Sequence, residues 1–262
     1  MIVTLLTDFG TTDYFVGAMK GALLSVCPDA CIIDITHEVP AHDIEAGAFI
    51  LFAAHEAFPP CTIHVAVVDP GVGSARRPIL VVSGGHFFVG PDNGLFSYIY
   101  ERAHTPQVFH LTNEKFFRPS RSTTFHGRDV FAPVAGALAG GIMPASFGEA
   151  ITDYYQIPSA KPKRLDDGTL EASIIHIDRF GNCVTNITRQ DAPDAARGSW
   201  HLVVGSHQVR AVREFFAAED GASEELFAVW GSAGFLEIAV FCGSAARVLN
   251  ARRGQAVSVV SD

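Results

Sequence analysis

Asp69 and the residues after it have the types and spacing of a reactive site. Asp69 ends an apolar run, Pro70, Gly71 and Gly73 break the predicted strand, and Arg76 follows. A carboxylate at the end of a buried strand, with a guanidinium close behind it, can form one wall of a pocket in an α/β protein. A tight turn with a surface ion pair explains the same residues equally well. This stretch alone therefore leaves both interpretations open.

Asp8 occupies an equivalent position after the first apolar segment of the chain. If both segments are parallel strands, Asp8 and Asp69 share the carboxyl edge of the sheet, where ligands bind. A carboxylate at that edge can accept hydrogen bonds from both hydroxyls of a ribose. Alternatively, Asp8 caps the helix that follows, a role that Asp13 fits as well.

A third group of chemically capable residues surrounds His126, which precedes Gly127, Arg128 and Asp129. Such a histidine can be a general base, an oxyanion donor or a metal ligand. The alternative is a loop entering a helix, in which Asp129 caps and Arg128 pairs locally. The eleven histidines show no H-x-x-x-H or H-E-x-x-H spacing, so we predict no metal site. A nucleophilic serine is also not supported, because the chain has no G-x-S-x-G elbow.

The glycines at 71 and 73 resemble the start of a dinucleotide fingerprint, but Arg76 stands where its third glycine would be. The Gly-Lys-Ser/Thr of a P-loop is also missing. Phosphate binding is therefore weakly supported.

Asp178 and Asn182 flank a Phe-Gly turn in the last third of the chain. Such a turn can supply an acceptor for the ammonium group of an amino acid and donors for its carboxylate. A β-turn with Asx hydrogen bonds is an equally natural interpretation. Farther on, Ser232 begins a turn and strand in which Glu237 is unusual for lying inside an apolar run.

The elements that must position these residues follow a β-α-β-α-β order in the first seventy residues. Predicted strands at 1–7, 31–35 and 62–68 alternate with helices at 15–24 and 43–58. This order is typical of a parallel sheet with right-handed crossovers. A hairpin (79–83 and 86–89) and two further helices (95–102 and 130–139) follow.

The pattern changes after residue 153. Residues 154–166 carry prolines and lysines without periodicity and are predicted to be a linker. Beyond it, short alternating runs at 170–178, 200–204, 207–212, 226–230, 235–240 and 257–259 predict a small antiparallel β domain. We therefore expect an α/β fold with two domains. Residues 1–153 would form a Rossmann-like domain with a mostly parallel sheet, and residues 167–262 a β-barrel-like one.

Composition narrows the classes of function. The 262 residues are 48% hydrophobic and 18% charged, with a net charge of −9. These values indicate a globular protein and make nucleic acid an unfavourable partner. No apolar run is long enough to cross a membrane, and no leader sequence is evident, so we expect a cytoplasmic protein with no membrane partner. The five cysteines contain no C-x-x-C pair and are expected to be reduced.

Seven motifs in order resemble the S-adenosylmethionine hydroxide adenosyltransferases (S-adenosylmethionine hydrolases), which are related to the fluorinases and chlorinases. The motifs, which span both predicted domains, are residues 7–10 (TDFG) with Asp13, 17–21 (GAMKG), 69–76 (DPGVGSAR), 91–94 (PDNG), 124–128 (TFHGR), 178–182 (DRFGN) and 232–237 (SAGFLE).

The resemblance implies hydrolysis of S-adenosyl-L-methionine by attack of water at the ribose 5′-carbon, giving adenosine and L-methionine. It implies no cofactor, and a homotrimer whose site lies between the N-terminal domain of one subunit and the C-terminal domain of its neighbour. By motif position, Asp69, Arg76 and His126 would handle the water, and Asp8 would contact the ribose. The other implied substrate contacts are Phe9, Asp13, Thr124, Phe125, Asp178, Asn182, Ser232, Glu237 and Val240, with Asp178 and Asn182 at the methionine-binding turn.

Two alternatives remain open. The halogenases of this group bind a halide in a pocket lined by hydroxyl groups, where this chain has Asp69, Val72 and Gly127. A fixed carboxylate repels a halide but can orient water, which favours hydrolysis. The second alternative is a protein that binds adenosine or S-adenosylmethionine without turning it over.

Overall fold

A computed structural model describes residues 1–102, 105–158, 161–191, 200–217 and 225–261. The chain divides into two compact units, an N-terminal unit of residues 1–158 and a C-terminal unit of residues 159–262. The division falls inside the predicted linker, 154–166. The predicted fold class, an α/β domain followed by a smaller β domain, is confirmed.

The described part of the N-terminal unit combines one sheet with four α-helices. Its strands are β1 (Ile2–Thr7), β2 (Cys31–Thr36), β3 (Ile63–Val67), β4 (Pro78–Ser83), β5 (His86–Pro91), β6 (Gln107–His110) and β7 (Ala150–Ile151). Its α-helices are α1 (Phe15–Leu24), α2 (Ile44–His55), α3 (Ser97–Arg102) and α4 (Ala132–Ala139). Shorter turns of helix are the 3-10 segments Glu114–Phe116 and Pro144–Ser146 and the π-helical turn Gly127–Phe131.

The sheet has the order β2-β1-β3-β5-β4-β6-β7. Its first three pairings are parallel and its last three antiparallel. Thr7 at the end of β1 lies opposite Val67 at the end of β3. Asp8 and Asp69 therefore leave the sheet at the same carboxyl edge, as the strand pattern predicted.

Both faces of this sheet are covered, which explains why β1 and β3 are almost wholly apolar. Val3 and Val65 pack in a core with α1 and α4, whereas Leu6 and Ala66 pack in a second core with α2 and α3. All four side chains are 0–1% exposed. Burial on both faces fixes the position of each strand along its axis in the sheet, and thereby the positions of the loops that follow the strands.

In the described residues of the C-terminal unit there are a nine-stranded sheet and one short helix. Its elements are β8 (Lys163–Arg164), β9 (Leu170–Ile177), β10 (Cys183–Thr188), β11 (Trp200–Val204), β12 (His207–Val209), β13 (Ala211–Arg213), β14 (Leu226–Trp230), β15 (Phe235–Val240), α5 (Ala245–Val248) and β16 (Ala256–Ser261). The strand order is β12-β11-β16-β9-β10-β15-β14-β13, with β8 beside β9, and only β13–β14 among the described pairings is parallel.

Four strands were not predicted from the sequence, namely β6, β7, β8 and β10. The two-residue strands β7 and β8 carry no pattern, and β8 lies inside the predicted linker. The pattern of β6 is too short to separate from a loop. β10 is buried at its first five residues and so lacks the alternation that marked its neighbours. The predicted strand at 207–212 is divided at Arg210 into β12 and β13. The predicted helix at 130–139 begins as the π-helical turn and becomes α4 only at Ala132.

All five cysteines are free. Within the described parts of the chain, no helix is long and apolar enough to cross a membrane.

Candidate active site

The loop after β3 turns back on itself. The backbone N–H of Val72 donates to the carbonyl of Asp69, and that of Ser74 donates to the carbonyl of Gly71, both at 3.1 Å. Gly73 has a φ of 79°, a conformation that other residues rarely adopt. These consecutive turns return Arg76 to the side chain of Asp69.

Asp69 and Arg76 form a buried pair. Nε of Arg76 lies 2.9 and 3.0 Å from the two carboxylate oxygens of Asp69, and Nη2 also donates to Oδ2. The side chains are 4% and 8% exposed, respectively, in the N-terminal unit. The interpretation as a surface ion pair is therefore wrong. Because burying two charges costs much of what their attraction returns, stability alone is a weak reason for such a pair.

His126 extends the pair into a group of three. Nη2 of Arg76 lies 2.8 Å from Nδ1 of His126. A guanidinium can only donate, so Nδ1 is the acceptor and the imidazole proton resides on Nε2. Burial and the adjacent Arg76 charge lower the pKa of His126. His126 is consequently neutral at pH 7.

One donor of the group is unused. Nη1 of Arg76 is buried and has no hydrogen-bond partner among the described residues. Buried polar atoms are nearly always paired in folded proteins, so an orphan donor beside a carboxylate and an imidazole calls for an explanation. Together these groups can accept a proton from a small polar molecule and stabilise negative charge developing on it.

Asp129 holds the turn that carries His126. Its carboxylate is fully buried and accepts from Nε of Arg128 at 2.6 Å and from the backbone N–H of Ser122 at 2.7 Å. Burial raises the pKa of Asp129, but the hydrogen bonds from Arg128 and Ser122 outweigh it and hold this pKa below its usual value. The predicted local pairing of Arg128 is confirmed, whereas capping by Asp129 is wrong because it lies inside the π-helical turn that starts at Gly127.

Asp8 does not cap a helix. The residue preceding α1 is Tyr14, and no side chain caps this helix, so the capping roles of Asp8 and Asp13 are both wrong. Instead, Oδ2 of Asp8 accepts from the backbone N–H of His42 at 2.9 Å, and the Asp8 side chain is 8% exposed. No hydrogen bond between described residues uses Oδ1, which leaves that oxygen for a ligand. Asp13 is exposed.

Aromatic rings gather beside this edge of the sheet. The ring centroids of Phe9 and Phe125 are 5.9 Å apart, and a side chain on Gly127 would begin 3.3–3.4 Å from these rings and 3.0 Å from the sulfur of Met19. Thr124 is exposed, and its hydroxyl lies 3.1 Å from that of Ser122. The structure therefore brings Phe9, Phe125 and His126 into one neighbourhood.

Sequence reasoning missed a support of Asp69. Nδ2 of Asn93 donates to the carbonyl of Val68 at 2.9 Å, immediately before Asp69. Asp92 accepts from Nη2 of Arg77 at 2.8 Å and so fixes the end of β5 to the start of β4. The PDNG motif was the available signal, but its tight turn gave no indication of which carbonyl Asn93 would reach.

The candidate residues of the C-terminal unit form their own cluster at the β9–β10 turn. Oδ1 of Asp178 accepts from the backbone N–H groups of Phe180 and Asn182 at 2.9 and 2.8 Å, and Oδ2 accepts from Nδ2 of Asn182 at 2.9 Å. The interpretation as an Asx turn is thus confirmed. Phe180 is 76% exposed at the tip of this turn.

Glu237 lies on β15 beside this cluster. Burial, followed by the charge of Asp178, raises the pKa of Glu237. Its side chain packs directly against Gly231, where a Cβ atom would collide with the carboxylate. Ser232 is exposed in the turn before β15, and Val240 is buried at the end of that strand.

These observations define a class: a protein with an α/β unit and a β unit, in which a buried carboxylate–guanidinium pair contacts a half-buried imidazole at the carboxyl edge of a parallel sheet. The chain belongs to the SAM (S-adenosylmethionine) hydroxide adenosyltransferase family. Residues 3–148 match its N-terminal domain and residues 172–258 its C-terminal domain.

Similar proteins cover nearly the whole chain. A protein of Methanocaldococcus jannaschii named (R)-S-adenosyl-L-methionine hydrolase is 36% identical over 95% of this chain and 92% of its own length. One of the same name from Thermus thermophilus is 35% identical over 98% and 99%. A fluorinase of Actinoplanes sp. is 29% identical over 75% of each chain. The crystal structure of an uncharacterized conserved protein from Thermotoga maritima matches with a TM-score of 0.90 and 33% identity, covering 99% of both chains.

Proposed function

We propose that this protein hydrolyses S-adenosyl-L-methionine to adenosine and L-methionine. The observation that carries the proposal is the buried Asp69–Arg76 pair in contact with the half-buried His126, with its unused Arg76 Nη1 donor. The relatives named as hydrolases support it, because they align over nearly all of both chains.

The reaction is an in-line displacement at the ribose 5′-carbon. The water oxygen forms the new bond to C5′, while the C5′–S bond breaks and its electron pair goes to the sulfur. The sulfonium leaves as a neutral thioether, so the leaving group needs no acid. The proton lost by the water passes to the Asp69 carboxylate and then to solvent.

The roles of the three residues follow from their hydrogen-bonding capacities. Asp69 accepts from the water, while Nη1 of Arg76 and Nε2–H of His126 donate to the oxygen as it gains hydroxide character. Positioned acid–base help contributes about 10²–10⁴ in rate. Alignment of the reacting atoms contributes up to roughly 7–11 kcal/mol. The residues that hold the ribose therefore matter as much as those that handle the water.

In the same proposal Asp8 accepts from the ribose hydroxyls, and Phe9, Asp13, Thr124 and Phe125 contribute to the same part of the site. Asp178 and Asn182 bind the methionine part of the substrate. The remaining substrate contacts are Ser232, Glu237 and Val240. No cofactor or metal takes part, because the sulfonium is already activated.

We further propose a cytoplasmic homotrimer, in which each site is completed by a neighbouring subunit. Five free cysteines fit a reducing compartment. The candidate residues fall into two clusters, one in each unit, and neither cluster contains groups for the whole substrate.

Halogenation is less well supported. A halide at this position would face the carboxylate of Asp69. A larger residue at Gly127, such as a halide-binding serine, would press on the sulfur of Met19, which lies 3.0 Å from the Cβ position.

The proposal is tested with Asp69→Asn, which keeps the shape of the side chain but removes its charge. We expect adenosine formation, measured by chromatography, to fall about 10²–10⁴-fold, while adenosine still binds in calorimetry. Asp29→Asn, at an exposed position, is the matched control and should keep full activity. The relatives' name specifies the R epimer at sulfur, so both epimers are supplied and the R epimer is expected to react.

Three outcomes contradict parts of the proposal. Unchanged turnover by Asp69→Asn would refute the role of Asp69. Binding without any product in the wild-type protein would indicate a sensor. A 5′-halo nucleoside formed in chloride or fluoride would indicate a halogenase.

A further inference from the structure

A series of polar contacts runs from the buried end of β1 to Asp34 on the edge strand β2. Oγ1 of Thr7 lies 2.9 Å from Nδ1 of His37, and Nε2 of His37 lies 3.1 Å from Oδ1 of Asp34. The other carboxylate oxygen of Asp34 accepts from Nζ of Lys20 at 2.6 Å. Thr7 and His37 are 0% and 4% exposed, whereas the side chains of Asp34 and Lys20 are 39% and 34% exposed, so the contacts lead from the interior of the N-terminal unit to its surface.

The partners determine the direction of each hydrogen bond. The backbone N–H of Phe9 donates to Oγ1 of Thr7 at 3.3 Å. The hydroxyl proton of Thr7 is therefore available for Nδ1 of His37, which then carries its own proton on Nε2. Nε2 lies close to Asp34 but outside hydrogen-bond geometry, and it has no hydrogen-bond partner among the described residues. Burial raises the pKa of Asp34, but its contacts with Lys20 and His37 outweigh this effect and keep the pKa low. Asp34 is thus a carboxylate that lies beside the imidazole of His37.

This arrangement of hydroxyl, imidazole and carboxylate resembles a nucleophilic triad. Thr7 cannot act as a nucleophile, however, because it is fully buried and its oxygen already accepts from Phe9. Thr7, His37 and Asp34 therefore have a structural role and do not react with a substrate.

The contacts of His37 hold the segment that carries Asp8. Besides the Thr7–His37 contact, the backbone N–H of Gly10 donates to the carbonyl of His37 at 2.8 Å. At the far end of the same loop, the backbone N–H of His42 donates to Oδ2 of Asp8 at 2.9 Å. Residues 37–42 thus fasten residues 7–10 on both sides of Asp8, and His37 supplies the buried side-chain contact.

We propose that His37 is a positioning residue that, through Thr7, sets the orientation of Asp8 toward the ribose hydroxyls of the substrate. This inference rests on the proposed function, in which Asp8 accepts from those hydroxyls. It assigns to His37 a contribution to recognition of the sugar rather than to the chemical step.

The test compares pairs of substitutions that keep or remove the Thr7 contact. The side-chain amide of His37→Asn lies near the position of Nδ1 and can still accept from Thr7, whereas that of His37→Gln reaches the position of Nε2 beside Asp34 and loses the Thr7 contact. Thr7→Val removes the hydroxyl without changing the shape of the side chain, and Thr7→Ser retains it. Because Thr7→Val is isosteric, it tests the same contact if His37→Gln does not fold.

The readout is the preference for adenosine over 2′,3′-dideoxyadenosine, measured as the ratio of dissociation constants by calorimetry. A merely structural role would weaken both ligands equally and leave this ratio unchanged. We expect His37→Gln and Thr7→Val to reduce the ratio about tenfold, the loss of roughly one well-aligned hydrogen bond to a charged group. His37→Asn and Thr7→Ser should stay within about twofold of the wild-type ratio.

Failure of this inference can be separated from failure of the proposed function. If the wild-type protein prefers adenosine and Asp8→Asn abolishes the preference, an unchanged ratio in Thr7→Val and His37→Gln overturns the role of His37 alone. An equal loss of the preference for adenosine in His37→Gln, His37→Asn, Thr7→Val and Thr7→Ser would also overturn the role of His37. If the wild-type protein shows no preference for adenosine, the ribose role of Asp8 fails, and the role of His37 fails with it.

Discussion

His126 shows how one hydrogen bond constrains the chemistry of a residue. Because Arg76 can only donate, Nδ1 of His126 must be unprotonated for the contact of 2.8 Å to exist. Protonation would add a second cation beside Arg76 and break this contact. The residue therefore acts as a neutral donor through Nε2.

The neutral state of His126 predicts how kcat falls on the acid side of the pH profile. Burial and Arg76 lower the pKa of His126 below its ordinary value of 6.5, so activity should be level near pH 7 and fall only as the pH drops below 6.5. His126→Asn retains an acceptor for Arg76 but cannot titrate, so its rate should be lower and this limb should disappear. The measurement is kcat for S-adenosylmethionine from pH 5 to 8. A limb centred above 6.5, or one that persists in His126→Asn, would contradict the assignment.

Asp69 and Arg76 also show how burial changes the electrostatic environment of an ion pair. In the sequence they are seven positions apart and could be an exposed pair. In the folded protein both side chains are buried, next to the glycine-containing loop and the π-helical turn. Water therefore cannot screen the attraction between their charges.

At the scale of elements, the loop between β3 and β4 depends on Gly73. Its φ of 79° is unfavourable for other residues, and a Cβ atom there would collide with the carbonyl oxygen of Thr123. Gly73→Ala should therefore lower the free energy of unfolding in urea by about 1–3 kcal/mol and displace Arg76, which lowers kcat.

Gly84 is the matched control for that substitution. It also has a positive φ, of 56°, but nothing lies within 4 Å of its Cβ position in the β4–β5 hairpin. Gly84→Ala should cost about 1 kcal/mol and leave kcat unchanged. Equal losses of stability and activity in the two variants would contradict the packing argument.

A second element-scale feature is the histidine group at the amino ends of β3 and β5. His64 is fully buried, with Nδ1 2.8 Å from the hydroxyl of Thr4 and Nε2 3.3 Å from Nδ1 of His86. Burial, followed by His86 and His55, lowers the pKa of His64 to about 3. The imidazole is therefore neutral in the folded protein, whereas it protonates near pH 6.5 once the chain unfolds.

The sign of the resulting pH dependence follows from this difference. A depressed folded-state pKa stabilises the protein above pH 6.5 and progressively less as the pH falls toward 3. From pH 7 to pH 5, His64 should contribute a loss of about 2 kcal/mol in the free energy of unfolding. Urea titrations of His64→Leu should show a pH dependence smaller by that amount, whereas His42→Asn, at an exposed position, should behave like the wild type. An unchanged pH dependence in His64→Leu would refute the argument.

At the scale of the whole molecule, the proposed trimer predicts complementation between inactive variants. Asp69→Ala damages the N-terminal cluster and Asp178→Ala the C-terminal cluster. If each site joins clusters from two subunits in a ring, co-expressed variants should form mixed trimers in which roughly a quarter of the sites are intact. The measurement is adenosine formation by the mixture, with sedimentation analysis to establish the oligomeric state.

The control for complementation is a mixture prepared from the separately purified proteins, which should show little activity until the subunits exchange. A co-expressed mixture without activity, at a mass that corresponds to a trimer, would place both clusters of each site in one chain. A monomeric mass would refute the trimer itself.

Much of this molecule could be predicted from local patterns. The succession of strands and helices indicated β1 to β3 and the shared edge of Asp8 and Asp69, because strands buried on both faces appear as apolar runs and helices as a 3.6-residue period. The buried strand β10 (CVTNIT) mixes polar with apolar residues, so it showed neither an apolar run nor an alternation and was missed. The PDNG motif was visible, but the contact of Asn93 with the carbonyl of Val68 depends on where two distant segments meet.

By itself, the sequence determined the order of the elements, the α/β and β units and the family, because each of these leaves a pattern of residue types at short or fixed spacing. Only the tertiary structure decided that Asp69 and Arg76 are buried, that Nδ1 of His126 is an acceptor, and that His37 reaches Thr7. The physical reason is that burial and hydrogen-bond direction depend on neighbours that are thirty or more positions away in the chain, and no local pattern encodes which of eleven histidines will find them.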